Sequence, residues 1–170
     1  MMASNEKLIK IFEHALQQEF TGRDFFKNSL QRMGWASAVT AFQRLIQEEE
    51  KHIEMIEKIL SGLKRGSPID LSPPKSPAEE PFNHFEERAK REFFTRCLEG
   101  SMVPEVTIFN IAWLIEKDLS EFYEKMARQT EGKAKEALMY LSRWEQAHEK
   151  LFREFRDQFA EMYSRIPWGG

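Results

Sequence analysis

Two short segments carry the same chemistry at the same relative position: Glu49-Glu50-Lys51-His52 and Glu145-Gln146-Ala147-His148 each place a Glu three residues before a His. On an α-helix that spacing puts carboxylate and imidazole on one face, where both can reach one metal ion. Each segment is preceded, about eight helical turns upstream, by a Glu inside an Ala-x-x-x-Glu-x-x-x-x-x-Phe-aromatic phrase. The first phrase is Ala15, Glu19, Phe25, Phe26, and the second is Ala112, Glu116, Phe122, Tyr123. The offset is 97 for Glu19 to Glu116 and 96 for Glu49 to Glu145 and His52 to His148. A two-helix unit has therefore been duplicated in tandem. Together the copies offer Glu19, Glu49, His52, Glu116, Glu145 and His148, a ligand set for two metal ions.

The energetics favour this reading over a metal-free polar network, which is the plainer alternative. Each of the four Glu lies mid-helix in an apolar stripe, and burying an unpartnered carboxylate costs several kcal/mol against a domain stability of about 5–15 kcal/mol. Two divalent cations would neutralise four carboxylates, with each His adding a neutral nitrogen donor and carboxylates bridging the pair. The mixed oxygen and nitrogen set suits iron or manganese better than calcium, which prefers all-oxygen shells, or structural zinc, which favours thiolates.

Other candidate residues have simpler explanations. His14 follows Ile11 at the acidic position and lies about 140° around its helix from Glu19, so it is expected in solvent, as is His84 after Pro81. Trp113, three before Glu116, should lean toward the site as a core residue; Trp144 should face away by about 100° and contact a neighbouring helix. Glu48 and Glu50 read as ordinary surface charge. Tyr123, seven after Glu116, could donate a hydrogen bond to a ligand carboxylate, hold a radical transiently, or simply cap the core; its counterpart in the first repeat is Phe26.

Apolar residues recur at helical spacing in four long stretches that position these groups: about 6–33, 36–64, 105–129 and 133–163. Gly34 and Gly132 mark tight turns, while Lys64, Arg65, Gly66 and Pro68 signal a helix C-terminus. Between them, Pro68, Pro73, Pro74, Pro77 and Pro81 make a loop, followed by an amphipathic stretch, Phe82 to Leu98, read as an extra crossover helix. The expected fold is all-α: a single domain over residues 1–170 forming a ferritin-like antiparallel four-helix bundle, with hairpins at 5–65 and 105–165 joined by a long crossover at 66–104.

Composition excludes several classes. A formal net charge of −3 with interspersed basic residues gives no nucleic-acid footprint. No run approaches the roughly 18 apolar residues of a membrane span, and the first ten residues lack a secretory apolar core, so a cytoplasmic protein is expected. Cys97 is the single cysteine, which excludes an internal disulfide and a Cys-x-x-Cys iron centre, so an external electron donor protein is expected.

The Glu-x-x-x-x-x-Phe-aromatic phrases at Glu19 and Glu116, with the Glu-x-x-His phrases at Glu49 and Glu145, resemble the rubrerythrin-type di-iron family of the ferritin-like superfamily across all four main helices. The resemblance implies two iron ions, with manganese or zinc as substitutes, a centre that reacts with hydrogen peroxide or dioxygen, and a homodimer. Three features depart from the pattern: the rubredoxin domain is missing, Leu119 stands where rubrerythrins carry an additional Glu, and the proline-rich crossover is long. Two other classes fit the same residues, an iron-handling protein like ferritin or bacterioferritin and a non-enzymatic metal-binding scaffold.

Overall fold

In a computed structural model, residues 2–31, 36–71 and 103–165 are described, and they contain four helices and no strand. Helix α1 spans Met2–Leu30, α2 Ala36–Lys64, α3 Val103–Ala127 and α4 Gly132–Arg165. The expected hairpins form, and the helices are within a few residues of their predicted limits. The crossover helix at Phe82–Leu98 lies outside the described residues.

Residues at matched heights show the hairpins to be antiparallel. Asn5 near the start of α1 donates to the Leu63 carbonyl near the end of α2 (3.0 Å), while Lys27 near the end of α1 pairs with Glu50 (3.0 Å). In the second hairpin the Ser142 hydroxyl donates to the Ser120 carbonyl (3.1 Å), and Phe109 faces Phe152 (6.2 Å between ring centroids). Ser120 and Ser142 are both buried, and side chains this small let α3 and α4 come close. Helix α1 also packs on α3, which joins the two repeats.

The helix ends follow the local chemistry. Gly66 has φ of 70°, and the Ser67 amide donates to the Gly62 carbonyl (2.9 Å) while the Gly66 amide donates to Leu63 (3.1 Å). That paired bonding closes α2 on a left-handed residue and satisfies carbonyls the helix leaves open. At the end of α3 the Thr130 hydroxyl donates to the Met126 carbonyl (3.1 Å).

The core is layered along the bundle axis. At one end Phe26, Phe42, Phe109 and Phe152, one from each helix, form an aromatic layer with centroids about 6 Å apart, three of the five ring contacts edge-to-face. At the other end lie aliphatic residues, among them Ile56, Ile59, Leu138 and Leu141, all essentially inaccessible. Between these two dry layers sits a band of buried ionisable groups.

Candidate metal centre

All six residues singled out from the sequence meet in that band. Glu19 comes from α1, Glu49 and His52 from α2, Glu116 from α3, and Glu145 and His148 from α4; each is 0% exposed. They fall into two overlapping sets, Glu19, Glu49, His52 and Glu145, and Glu49, Glu116, Glu145 and His148, and within each the ligand atoms lie within 4.8 Å of one another. Glu49 and Glu145, the two Glu of the Glu-x-x-His phrases, belong to both sets. The arrangement gives each half a private Glu, a private His and two shared carboxylates.

The imidazoles turn their Nδ1 atoms inward. His52 Nδ1 lies 2.7 Å from Glu145 Oε1 and 3.4 Å from Glu19 Oε2; His148 Nδ1 lies 3.3 Å from Glu145 Oε2, 3.4 Å from Glu116 Oε2 and 3.6 Å from Glu49 Oε1. The two rings are nearly parallel with centroids 5.9 Å apart. Each His thus reaches across to carboxylates of the other hairpin as well as its own, so the centre exists only when both repeats dock.

The electrostatics are those of carboxyl groups crowded together out of reach of solvent. Burial pushes the Glu49 and Glu116 carboxyls well above the ordinary carboxylate range, and the Glu145 charge pushes them further. Burial alone would lower His52, but the adjoining Glu145 and Glu19 outweigh it and raise the imidazole. Glu145 goes the other way: burial opposes its ionisation, yet His52 and His148 hold it far below the usual value. Among the described residues, both oxygens of Glu49 and of Glu116 are buried without a hydrogen-bond donor. Buried acceptors of this number are rarely left open, and a pair of cations would complete them. The donor set therefore fits a di-metal site.

Tyr123 is fully buried and its hydroxyl donates to a candidate ligand carboxylate, as one of its expected roles has it; the acceptor is Glu19 Oε1, in the other repeat. Burial, then the nearby Glu19, pushes the phenol above its ordinary value, which keeps it a neutral donor. Phe26, its counterpart, joins the aromatic layer. Leu119 is buried in the aliphatic core beside Gly22, its counterpart in the first repeat.

Expectations for two other residues, Trp144 and Glu48, need correcting, while those for Glu50 and His14 hold. Trp144 does contact a neighbouring helix, but what it meets there is a predicted ligand: its ring stands edge-on to His52 with centroids 4.2 Å apart. Glu48 is not a solvated surface charge; it is only 13% exposed and pairs with Lys51 at 2.8 Å. Glu50 is exposed and pairs with Lys27, and His14 is exposed, resting edge-on against Phe122. Trp113 is partly buried, with the Lys117 ammonium 5.4 Å above its ring. His84 lies outside the described residues. No sequence spacing points to the Trp144 contact, because it depends on which face of α4 meets α2.

Among the described residues no helix is long and apolar enough to cross a membrane. No curated protein and no solved structure matches the chain. The family model described as Rubrerythrin matches residues 10–156, a span that contains all six buried Glu and His residues. With the fold and the doubled carboxylate and imidazole set in place, that match assigns the chain to the rubrerythrin family.

Proposed function

We propose that the protein is a non-haem di-iron oxidoreductase, a homodimer of the cytoplasm, that reduces hydrogen peroxide or dioxygen with electrons from a separate donor protein. The observation that carries this reading is the pair of four-residue sets sharing Glu49 and Glu145 in a band sealed by apolar layers. Glu19 and His52 would hold one ion, Glu116 and His148 the other, with Glu49 and Glu145 serving both. Bound iron would supply the two-electron redox chemistry that no side chain here can perform.

The chain's own residues supply the setting. Four carboxylates and two neutral imidazoles match the charge of two divalent ions, and manganese is the substitute this donor set would also accept. The Phe26, Phe42, Phe109 and Phe152 layer excludes water from one end, so the groups around the site act in a low dielectric. Tyr123 orients Glu19 and holds a proton at its phenolic oxygen beside that carboxylate.

The test is metal content and reactivity together. Protein purified without added metal, then loaded with Fe(II) under anaerobic conditions, should bind two ions per chain and consume peroxide when a reductant is present. Glu49→Ala and His148→Ala should lower iron content and thermal stability together, because metal binding is coupled to folding. Unchanged iron stoichiometry in both variants would remove the assignment; a cage of many subunits in sedimentation would favour iron storage instead.

A further inference from the structure

The ring contact at His52 does not stop at Trp144. Tyr140 stands edge-on to Trp144 with centroids 5.3 Å apart, as residues at i and i+4 of one helix can. His52 is fully buried, Trp144 partly buried and Tyr140 37% exposed, so three rings in contact lead from the carboxylate band to the surface. They emerge at a groove of about 480 Å³ walled by Tyr140, Met139 and Met55, with Lys135 and Arg143 against a single Glu136. The chain as a whole carries a net charge of −3, so this net-positive rim is a local reversal. The positions 96 residues before Tyr140 and Trp144 are Arg44 and Glu48, so the first repeat does not repeat this pair of rings.

We propose that Tyr140, Trp144 and His52 are a one-electron conduit between this groove and the dinuclear centre, and that the groove receives an acidic electron-carrier protein. The inference rests on the di-iron reading above. The transfer is of electrons alone. Each of two carrier molecules is oxidised by one electron, the ferric pair is reduced by two to the ferrous state, and no bond to the three rings is made or broken. The rings carry no charge of their own; they supply continuous electronic contact where solvent or aliphatic packing would interrupt it. Apolar Met139 and Met55 suit a contact that forms and dissolves at each turn, and the basic rim steers an acidic partner.

The experiment uses the full chain with Cys97→Ser, oxidised and loaded with iron, and a ruthenium photosensitiser tethered at Met139→Cys. Flash-generated reductant at that position should bleach the ferric absorption, and Trp144→Leu should slow the bleaching by an order of magnitude while Trp144→Phe keeps the wild-type scale. The same sensitiser at Glu121→Cys, an exposed site on α3, should be insensitive to Trp144→Leu. An unchanged rate in Trp144→Leu with iron content intact would overturn the conduit and leave Trp144 as packing. If Trp144→Leu loses iron, Tyr140→Leu decides, since it is one ring further from the ligands: slower bleaching supports the conduit and an unchanged rate overturns it.

A metal-free readout is independent of turnover. A photo-oxidised sensitiser at position 139 should withdraw one electron from Trp144, with the indole proton passing to solvent, and give an indole radical signal that Trp144→Phe removes; its persistence in that variant overturns the path. With reduced flavodoxin as an acidic probe donor, Arg143→Glu should lower the second-order rate at low salt and flatten its salt dependence. An unaltered dependence overturns the docking assignment. Wild-type protein that binds no redox-active metal overturns the di-iron reading together with the conduit, whereas loss of any effect at Trp144 and Tyr140 overturns the conduit alone.

Discussion

The half of the centre built on Glu19 and His52 and the half built on Glu116 and His148 present the same ligands and rest on different supports. The Glu19 half receives the Tyr123 hydroxyl and the edge of Trp144. At the counterpart positions the chain has Phe26, which is absorbed into the aromatic layer, and Glu48, which pairs with Lys51. One turn beyond the private carboxylates the order reverses, with Gly22 after Glu19 and Leu119 after Glu116. The two halves thus offer the same residue types and differ in what stands at these supporting positions, a phenol and an indole against a phenyl ring and a carboxylate. Groups that would neutralise two ions have to come in pairs, while the groups that tune them need not.

The largest effect should come from the shared residues. Glu145→Ala should abolish binding of both ions, as measured by elemental analysis, whereas Glu19→Ala and Glu116→Ala should each leave one; equal losses in all three would mean that no carboxylate is shared.

Next is the pH dependence of the metal-free protein. Glu49 and Glu116 are raised well above the ordinary carboxyl value of 4.5 and His52 above the ordinary imidazole value of 6.5, so each binds its proton more tightly folded than unfolded. Their stabilisation is complete below those unfolded values and is lost as pH rises through the folded ones; Glu145, lowered, contributes in the opposite sense. Above about pH 5 Glu145 is ionised in both states and adds nothing to the slope, so the melting temperature without metal should fall as pH rises from about 5, and added metal should give its greatest increase at the high end. Calorimetry with and without chelator checks this, and a metal-free melting temperature that climbs with pH contradicts it.

The two halves can also be separated directly. Tyr123→Phe leaves Glu19 without its buried donor and should cost about 1–3 kcal/mol in denaturant unfolding of the metal-free protein. It should disturb the ion on the Glu19 side and spare the other, which Mössbauer spectra of iron-loaded protein would resolve. The smallest effect is expected at Gly22. A Cβ there would meet Ile115 at 3.5 Å and Glu49 Oε2 at 4.0 Å, ordinary contacts, so Gly22→Ala should keep its metal and gain up to about 1 kcal/mol of helix propensity. Gly22→Leu, which makes the halves alike at this position, should crowd Glu49 and reduce metal content.

Much of this was legible in the residue string because helical periodicity is local. Glu49 with His52, and Glu145 with His148, share a face by spacing alone, and their embedding in apolar stripes requires all six ionisable groups to be buried. Gly66 and the residues around it likewise encode the end of α2 through a backbone conformation that glycine adopts at little cost. The partner of Tyr123 was not legible, since its seven-residue spacing from Glu116 describes only its own helix, while the hydroxyl crosses to α1. Trp144 contacts a neighbouring helix as expected, but which residue it meets was not legible for the same reason: being about 100° from Glu145 on α4 turns it away from one neighbour and directly onto His52 of another.

By itself, then, the sequence determined four amphipathic helices, their pairing into repeated hairpins and the identity of the buried ionisable residues, all properties of intervals along one chain. The tertiary structure alone decided that Glu49 and Glu145 stand in both sets, that Tyr123 serves Glu19, and that Trp144 covers His52. Those facts depend on the rotation and height at which one helix meets the next, and these are set by the sum of many small packing contacts between hairpins rather than by any spacing within them.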